Sequence, residues 1–258
     1  MTKIRYSSIK PLLSKGDNIT MIKRTIKKEV LVSQNLDETK EILIFLPQEE
    51  QPSGKEYPLL LLHDGPDYFN LGRVVTQATR MISEGQLQPF AMAAIPVDKK
   101  KRTSQYSPVG EQQTGHIRMV MEELLPLLSK KYPVSREKEK LVIGGSSLGG
   151  TVSLHIALKY PDQVINVFTQ SGAFLEETCE EIMRQNTLFH MHIYQSIGTS
   201  ETEVPTHMGN LDLVTRNREV YRYLKEKEAQ VHYMEKDGDH TWGFWQQDLP
   251  DVLKTFFS

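Results

Sequence analysis

Leu141-Val142-Ile143-Gly144-Gly145-Ser146-Ser147-Leu148-Gly149-Gly150 is the stretch on which the reading of this chain turns. Three aliphatic residues run straight into a glycine-rich turn, and residues 151–158 then carry apolar side chains at helical spacing. Gly145, Ser147 and Gly149 spell Gly-x-Ser-x-Gly between a strand and a helix, the setting of a nucleophile elbow. In so tight a turn the serine backbone is strained, and side chains two residues either side would collide, so those positions must be small. The helix beginning behind Ser147 aims unsatisfied N–H groups and a positive dipole end at any negative charge developing there. Ser146 lacks the glycine pair at minus two and plus two. A phosphate loop is the competing reading, but no Gly-Lys-Ser/Thr follows, and Gly-x-Gly-x-x-Gly is absent from residues 144–150.

At 258 residues, with 38% hydrophobic and 25% charged residues, the chain has the length for one large α/β core and is unlike a disordered polypeptide. A net charge of −2 gives no footing for nucleic acid or an anionic membrane surface, and neither is expected as a partner. The clusters Lys23-Arg24, Lys27-Lys28 and Lys99-Lys100-Lys101-Arg102 are local and read as solvated charge. A lone cysteine, Cys179, excludes an internal disulfide and fits a reducing compartment; the glutamates around it disfavour a reactive thiolate. No stretch approaches the roughly 20 apolar residues that cross a bilayer. Residues 1–22 hold no apolar run of signal-peptide length, so the cytoplasm is the expected location.

Outward from the elbow, strands and helices alternate. Residues 1–18 read as an unpatterned arm, 19–32 as a half-exposed strand pair, and 42–46 as a further strand followed by a polar turn over 48–56. Residues 57–63 are apolar on both faces, as in the parallel centre of a doubly covered sheet. A helix is expected over 72–84, a strand over 90–97, and a long polar loop over 98–113. An amphipathic helix over 116–131, interrupted by Pro126, leads to the elbow strand. Beyond the elbow helix come strand 164–170, a helix to 186, strand 190–197, helix 210–228, strand 230–236 and helix 240–257. This order predicts one domain over 1–258, with a mainly parallel central sheet, an antiparallel N-terminal edge and helices on both faces.

A serine hydroxyl attacks only when a base takes its proton, so a histidine must reach Ser147. His190, His192 and His232 fall in or beside expected strands. His240 instead lies in Asp237-Gly238-Asp239-His240-Thr241-Trp242, between the last strand and last helix, at the carboxyl edge where ligands bind; it is preferred to His207. The carboxylate that orients this imidazole should follow strand 190–197, which puts Glu201 first, Glu203 next and Asp212 third. No metal or cofactor is needed for this chemistry. The aromatic residues Tyr68, Phe69, Tyr106, Trp242, Phe244 and Trp245 are candidates for an apolar pocket.

With the elbow, Gly238-Asp239-His240-Thr241-Trp242 and His63-Asp64-Gly65-Pro66-Asp67-Tyr68-Phe69 in place, residues 26–258 resemble the “putative esterase” branch of the α/β-hydrolases. That branch includes the enterochelin (siderophore) esterases, the esterase D group and mycolyl-transferase-like proteins. The resemblance extends to Gly238, His240, Trp242 and Trp245 as a Gly-x-His-x-Trp-x-x-Trp ending, and to residues 102–106 as an Arg-x-x-Glu-Tyr loop beside the active site, with Gln105 replacing the glutamate. It implies the α/β-hydrolase fold and a stand-alone serine hydrolase cleaving a siderophore lactone or small acyl ester. Ser147 is then the nucleophile, His240 the base and Glu201 the orienting acid, while Arg102, Tyr106, Tyr68, Phe69 and Trp242 bind substrate. The oxyanion would be held by the Leu148 N–H and a second donor from Gly65 or Asp67, because Pro66 has no N–H. An acyltransferase, or a non-catalytic binding protein on the same scaffold, are the alternatives, and the oligomeric state is not legible.

Overall fold

The structure, a computed structural model, describes residues 23–48, 56–206 and 209–258. The arm expected over 1–18, most of the turn over 48–56, and His207 lie outside the described residues.

The strands are β1 (Lys23–Ser33), β2 (Glu38–Gln48), β3 (Leu59–His63), β4 (Ala91–Ile95), β5 (Leu141–Ser146), β6 (Asn166–Gln170), β7 (His192–Gly198), β8 (Val204–Thr206), β9 (Gly209–Leu211) and β10 (Gln230–Lys236). Side-chain alternation in the central strands builds the two halves of the core. In β3, Leu59 and Leu61 enter one apolar cluster while Leu60 and Leu62 enter another. β4 and β5 divide the same way, Ala91, Ala93, Leu141 and Ile143 to the first cluster, Met92 and Val142 to the second. Strands apolar on both faces need cover on both, and they take central places in an eight-stranded sheet ordered β1-β2-β4-β3-β5-β6-β7-β10. β1 pairs antiparallel with β2, and β2 with β4; every later neighbour pairs parallel.

The helices are α1 (Gly65–Asn70), α2 (Val74–Ser83), α3 (Arg102–Tyr106), α4 (Gln113–Arg118), α5 (Leu125–Lys131), α6 (Leu148–Lys159), α7 (Glu176–Arg184), α8 (Leu213–Glu226) and α9 (Trp242–Phe257). α2 and α9 cover one face, through Val74, Ala78, Leu249 and Leu253. α4 to α8 cover the other, through Ile117, Leu128, Val152, Ile182 and Val220. α6, the elbow helix, is buried from Gly149 to Leu158, so it has no polar face.

Several elements differ from the sequence reading for identifiable reasons. The part of 19–32 that is described is one long strand, β1, not a pair. A short helix, α1, starts at Gly65, seven residues before the helix expected at 72; Pro66 fits in its first turn, where a missing N–H costs no helical bond. The polar stretch 98–113 contains α3. The helix over 116–131 is α4 and α5 joined by a π-helical turn, Met119–Leu124, and Pro126 falls in the first turn of α5. Where a helix was expected from 210, the antiparallel hairpin β8–β9 comes first. α8 then starts at Leu213, capped by Asp212, whose Oδ1 accepts the Thr215 N–H at 2.9 Å. The last helix begins at Trp242 and leaves His240 on the preceding loop.

Candidate active site

Three adjacent strands, β3, β5 and β6, are each followed by a non-glycine residue of positive φ: Asp64 at 51°, Ser147 at 55° and Ser171 at 50°. Such backbone costs about 1–3 kcal/mol per residue and collects where function is built. The glycines around Ser147 are required by close approach. A Cβ on Gly145 would lie 2.8 Å from the Gly149 carbonyl carbon, and one on Gly149 would lie 2.9 Å from Asp64 Oδ2.

At this edge Ser147 Oγ lies 3.1 Å from His240 Nε2, and His240 Nδ1 lies 2.6 Å from Glu201 Oε2. A carboxylate only accepts, so Nδ1 carries the hydrogen and Nε2 turns its lone pair to the Ser147 hydroxyl. Glu201 follows β7 and is 1% exposed. Its other oxygen, Oε1, accepts from Ser171 Oγ–H at 2.6 Å and from the Gly198 N–H at 2.9 Å. The Trp245 indole N–H donates to Ser171 Oγ at 2.9 Å, and the Trp245 ring meets His240 edge to face at 5.1 Å between centroids. Of the other acids weighed, Glu203 is exposed and accepts from Asn210 Nδ2, and Asp212 caps α8; neither is bonded to His240. Asp239 orients the His240 loop, its Oδ1 accepting from Thr241 Oγ1–H at 2.6 Å.

The Leu148 N–H stands first in α6. Of the second donors expected, Asp67 is spent, because its N–H goes to the Asp64 carbonyl at 2.9 Å. Among the described residues this leaves Gly65, which is held against β4 so closely that a Cβ would lie 2.2 Å from Ala94 Cα.

A cleft of about 420 Å³ opens over Ser147 and His240, walled by Asp64, Asp67, Lys99, Arg102, Trp242 and Trp245. Of the residues expected to bind substrate, Arg102 and Trp242 border this cleft. The Arg102 fork is already engaged, however, with Nε and Nη2 donating to the two Asp64 carboxylate oxygens at 2.9 and 2.8 Å. Tyr68, Phe69 and Tyr106 do not line this cleft. Tyr68 is fully buried and donates to Gln170 Oε1 at 2.8 Å, so it supports Trp242, which rests edge-on against its ring. Tyr106 is fully buried beside His63, and its hydroxyl accepts the Asp64 N–H at 3.4 Å. Burial pushes both phenols well above their ordinary pKa. Phe69 packs on the apolar cluster around Val74. Gln105 is buried outside the cleft, donating to Glu38 and accepting from Lys40, so Glu38 supplies the charge there. Burial pushes the Cys179 thiol up to about 11.

The sequence reading did not single out the supports beneath the site. Buried Asp248 accepts from Gln170 Nε2 at 2.8 Å, Tyr194 OH at 2.6 Å and Ser196 Oγ at 2.7 Å, and pairs with Lys236. The Gln170 carbonyl in turn accepts the Ser147 N–H at 2.9 Å, so this network joins α9 to the elbow. On the other face, Ser153 Oγ donates to the Gly149 carbonyl and accepts from His63 Nδ1 at 2.8 Å, while His63 Nε2 accepts from His116 Nε2 at 3.1 Å. Burial and the nearby Arg102 cation bring the His63 pKa down to about 3, and burial holds His116 well below its usual range. Ser171 could have been found in the sequence as the residue leaving the strand next to the elbow; nothing local marks Asp248, which sits mid-helix. Among the described residues no group of three or more His, Cys, Asp or Glu has metal-binding geometry, and no helix is long and apolar enough to cross a membrane.

A family model described as “Putative esterase” matches residues 33–256. The Bacillus subtilis “Uncharacterized protein YjcH” is 33% identical over 232 residues, which is 89% of this chain and 96% of that protein. The acetyl esterase of Caldicellulosiruptor saccharolyticus is 24% identical over 159 residues, 51% of this chain and 60% of that enzyme. The enterochelin esterase from Shigella flexneri shares the fold at a TM-score of 0.77 and 21% identity, over 90% of this chain and 57% of that one. The chain belongs to the “Putative esterase” family of carboxylic ester hydrolases, built on the α/β-hydrolase fold.

Proposed function

We propose that the chain is a one-domain serine hydrolase that cleaves small acyl esters through a covalent acyl-enzyme. The observation that carries this reading is the unbroken run of hydrogen bonds from the Ser147 hydroxyl through His240 to Glu201. Ser147 Oγ attacks the ester carbonyl as His240 Nε2 takes its proton, and Glu201 stabilises the imidazolium and fixes its tautomer. The developing oxyanion is held by the Leu148 and Gly65 N–H groups at the positive end of α6, each such donor being worth about 3 kcal/mol in the transition state. Collapse breaks the C–O bond, and the leaving alkoxide takes the proton from His240. Water then attacks the acyl-enzyme by the same route and restores the serine. The reaction so written uses only groups of this chain and water.

Relatives named acetyl esterase and enterochelin esterase bracket the substrate between a small acyl ester and a siderophore lactone. The modest cleft beside Ser147 favours the small acyl ester. The test is steady-state hydrolysis of p-nitrophenyl acetate by the wild type, Ser147→Ala and His240→Ala. Both variants should lose at least about 10³-fold in kcat/KM with the fold intact. Turnover unchanged in Ser147→Ala would remove the serine from the mechanism.

A further inference from the structure

A second, smaller cavity of about 210 Å³ meets the cleft at Ser147, His240 and Arg102, and it lies behind the β8–β9 hairpin. Its apolar wall is Ala173, Leu175, Val204, Leu211 and Leu213, joined by Leu148 from the elbow. The rest of its lining carries hydroxyls and no charge except Arg102, whose cation is matched by the two-point contact with Asp64. The main cleft is about twice as large and less enclosed; besides the Asp64–Arg102 pair it is bordered by Asp67 and Lys99, which the smaller cavity lacks, and by an apolar wall of Pro66, Pro96, Val97, Trp242 and Trp245. The reacting serine thus stands between a compact chamber with an aliphatic wall and a larger, more open groove.

We infer, on the hydrolase reading above, that the hairpin cavity is the acyl subsite and that it selects esters of short, uncharged aliphatic acids. Two physical arguments assign the arms. An aliphatic chain laid in the open groove would displace water from Asp67 and Lys99 and stay half-hydrated on Pro66, Pro96 and Val97, whereas against the aliphatic wall of the hairpin cavity its methylenes are enclosed. The acyl group also stays covalently attached while the alcohol leaves and water enters, so the more enclosed chamber suits the arm that stays and the open groove the arm that departs. Size sets the limit. At about 30 Å³ per water-sized group the cavity holds roughly seven such groups, the length of an acyl chain of about six carbons. Selectivity for the acid then rests on Val204 and Leu211, paired across the hairpin, rather than on the cleft aromatics.

The test is the acyl-length profile of p-nitrophenyl esters from acetate to decanoate, beside butyrate esters of methyl to hexyl alcohols. Full burial of each methylene corresponds to about fourfold in kcat/KM, so the profile should climb from acetate to about hexanoate and then flatten or fall. Alcohol length should change kcat/KM by less than about twofold per carbon. Val204→Phe, which fills the chamber, should move the optimum toward acetate; Leu211→Ala, which enlarges it, should move the optimum toward octanoate. Each variant is scored by the hexanoate-to-acetate ratio within one preparation, which partial unfolding leaves unchanged. A flat acyl profile, an optimum unmoved in both variants, or a profile that follows the alcohol instead would overturn the subsite while leaving ester hydrolysis standing. Absence of any turnover, with Ser147 unlabelled by a fluorophosphonate, would instead remove the hydrolase reading on which the subsite depends.

Discussion

Replacing Glu201 by glutamine alters one atom of the group that holds His240 and so isolates what its charge does. Glu201 Oε1 receives the Ser171 hydroxyl and the Gly198 N–H, and Oε2 receives His240 Nδ1–H. A glutamine has one acceptor oxygen for these three donors. Ser171 can rotate its hydrogen away, but the Gly198 N–H is backbone and cannot, so the amide oxygen is claimed there. Turning the amide over leaves that buried N–H facing an NH₂ group, at a cost of about 1–3 kcal/mol, roughly 5- to 150-fold in population. In the favoured orientation the amide NH₂ meets His240 Nδ1, the ring hydrogen shifts to Nε2, and the lone pair that takes the Ser147 proton is gone. The minority that keeps the right tautomer also lacks the negative charge opposite the imidazolium. Together these predict a fall in kcat of about 10⁴, the size of the analogous carboxylate-to-amide change in a serine protease triad, with KM nearly unchanged. The assay is kcat and KM on p-nitrophenyl acetate, with the thermal midpoint as the check on folding. A Glu201→Gln enzyme within tenfold of wild type in kcat would refute the reasoning and leave Ser147 and His240 as a self-sufficient pair.

Other perturbations follow from the same contacts. Tyr68→Phe removes the bond to Gln170 and should cost about 1 kcal/mol in urea unfolding without altering KM, because the ring lies beneath Trp242 and not in the cleft. Asp248→Asn removes one of the two carboxylates that Lys236 meets, Asp251 remaining, and replaces an acceptor of three buried hydrogen bonds; a loss of about 1–3 kcal/mol is expected by denaturant titration. Gly145→Ala would push a Cβ to 2.8 Å from the Gly149 backbone and should cut both stability and activity, read by thermal midpoint and ester turnover. His63 and His116 have folded-state pKa values depressed below the unfolded value of about 6.5, His63 to about 3, so they bind fewer protons folded than unfolded. The stabilising effect of each is complete above about pH 6.5 and is lost as pH falls below it, for His63 down to about 3, by up to about 1.4 kcal/mol per pH unit. Urea midpoints at pH 7, 6 and 5 should decline accordingly, and a His63→Phe variant should show a shallower slope.

What the sequence made legible was local or periodic. The elbow, the doubly buried strand before Asp64 and the His240 loop each announce themselves in a few consecutive residues, and strand–helix alternation then implies the sheet. What escaped depends on where a side chain points or on partners far along the chain. Tyr68 and Tyr106 neighbour the cleft in sequence, yet an aromatic ring with one polar tip suits core and pocket equally; only the hydrogen bonds to Gln170 and from Asp64 decide for the core. The β8–β9 strands have three residues each, too few to show a two-residue period, and Pro205 further obscures them. Asp248 is a single acid in a helix whose partners come from β6, β7 and β10.

The most direct test of the central claim is to trap the covalent intermediate and locate it. Wild-type protein treated with a fluorophosphonate, or quenched in acid during turnover of a slow ester, should gain one adduct mass, and fragmentation should place it on Ser147; His240→Ala should acquire it far more slowly and Ser147→Ala not at all. Ester turnover proceeding with no adduct on Ser147, or an adduct of equal yield in Ser147→Ala, would contradict the account.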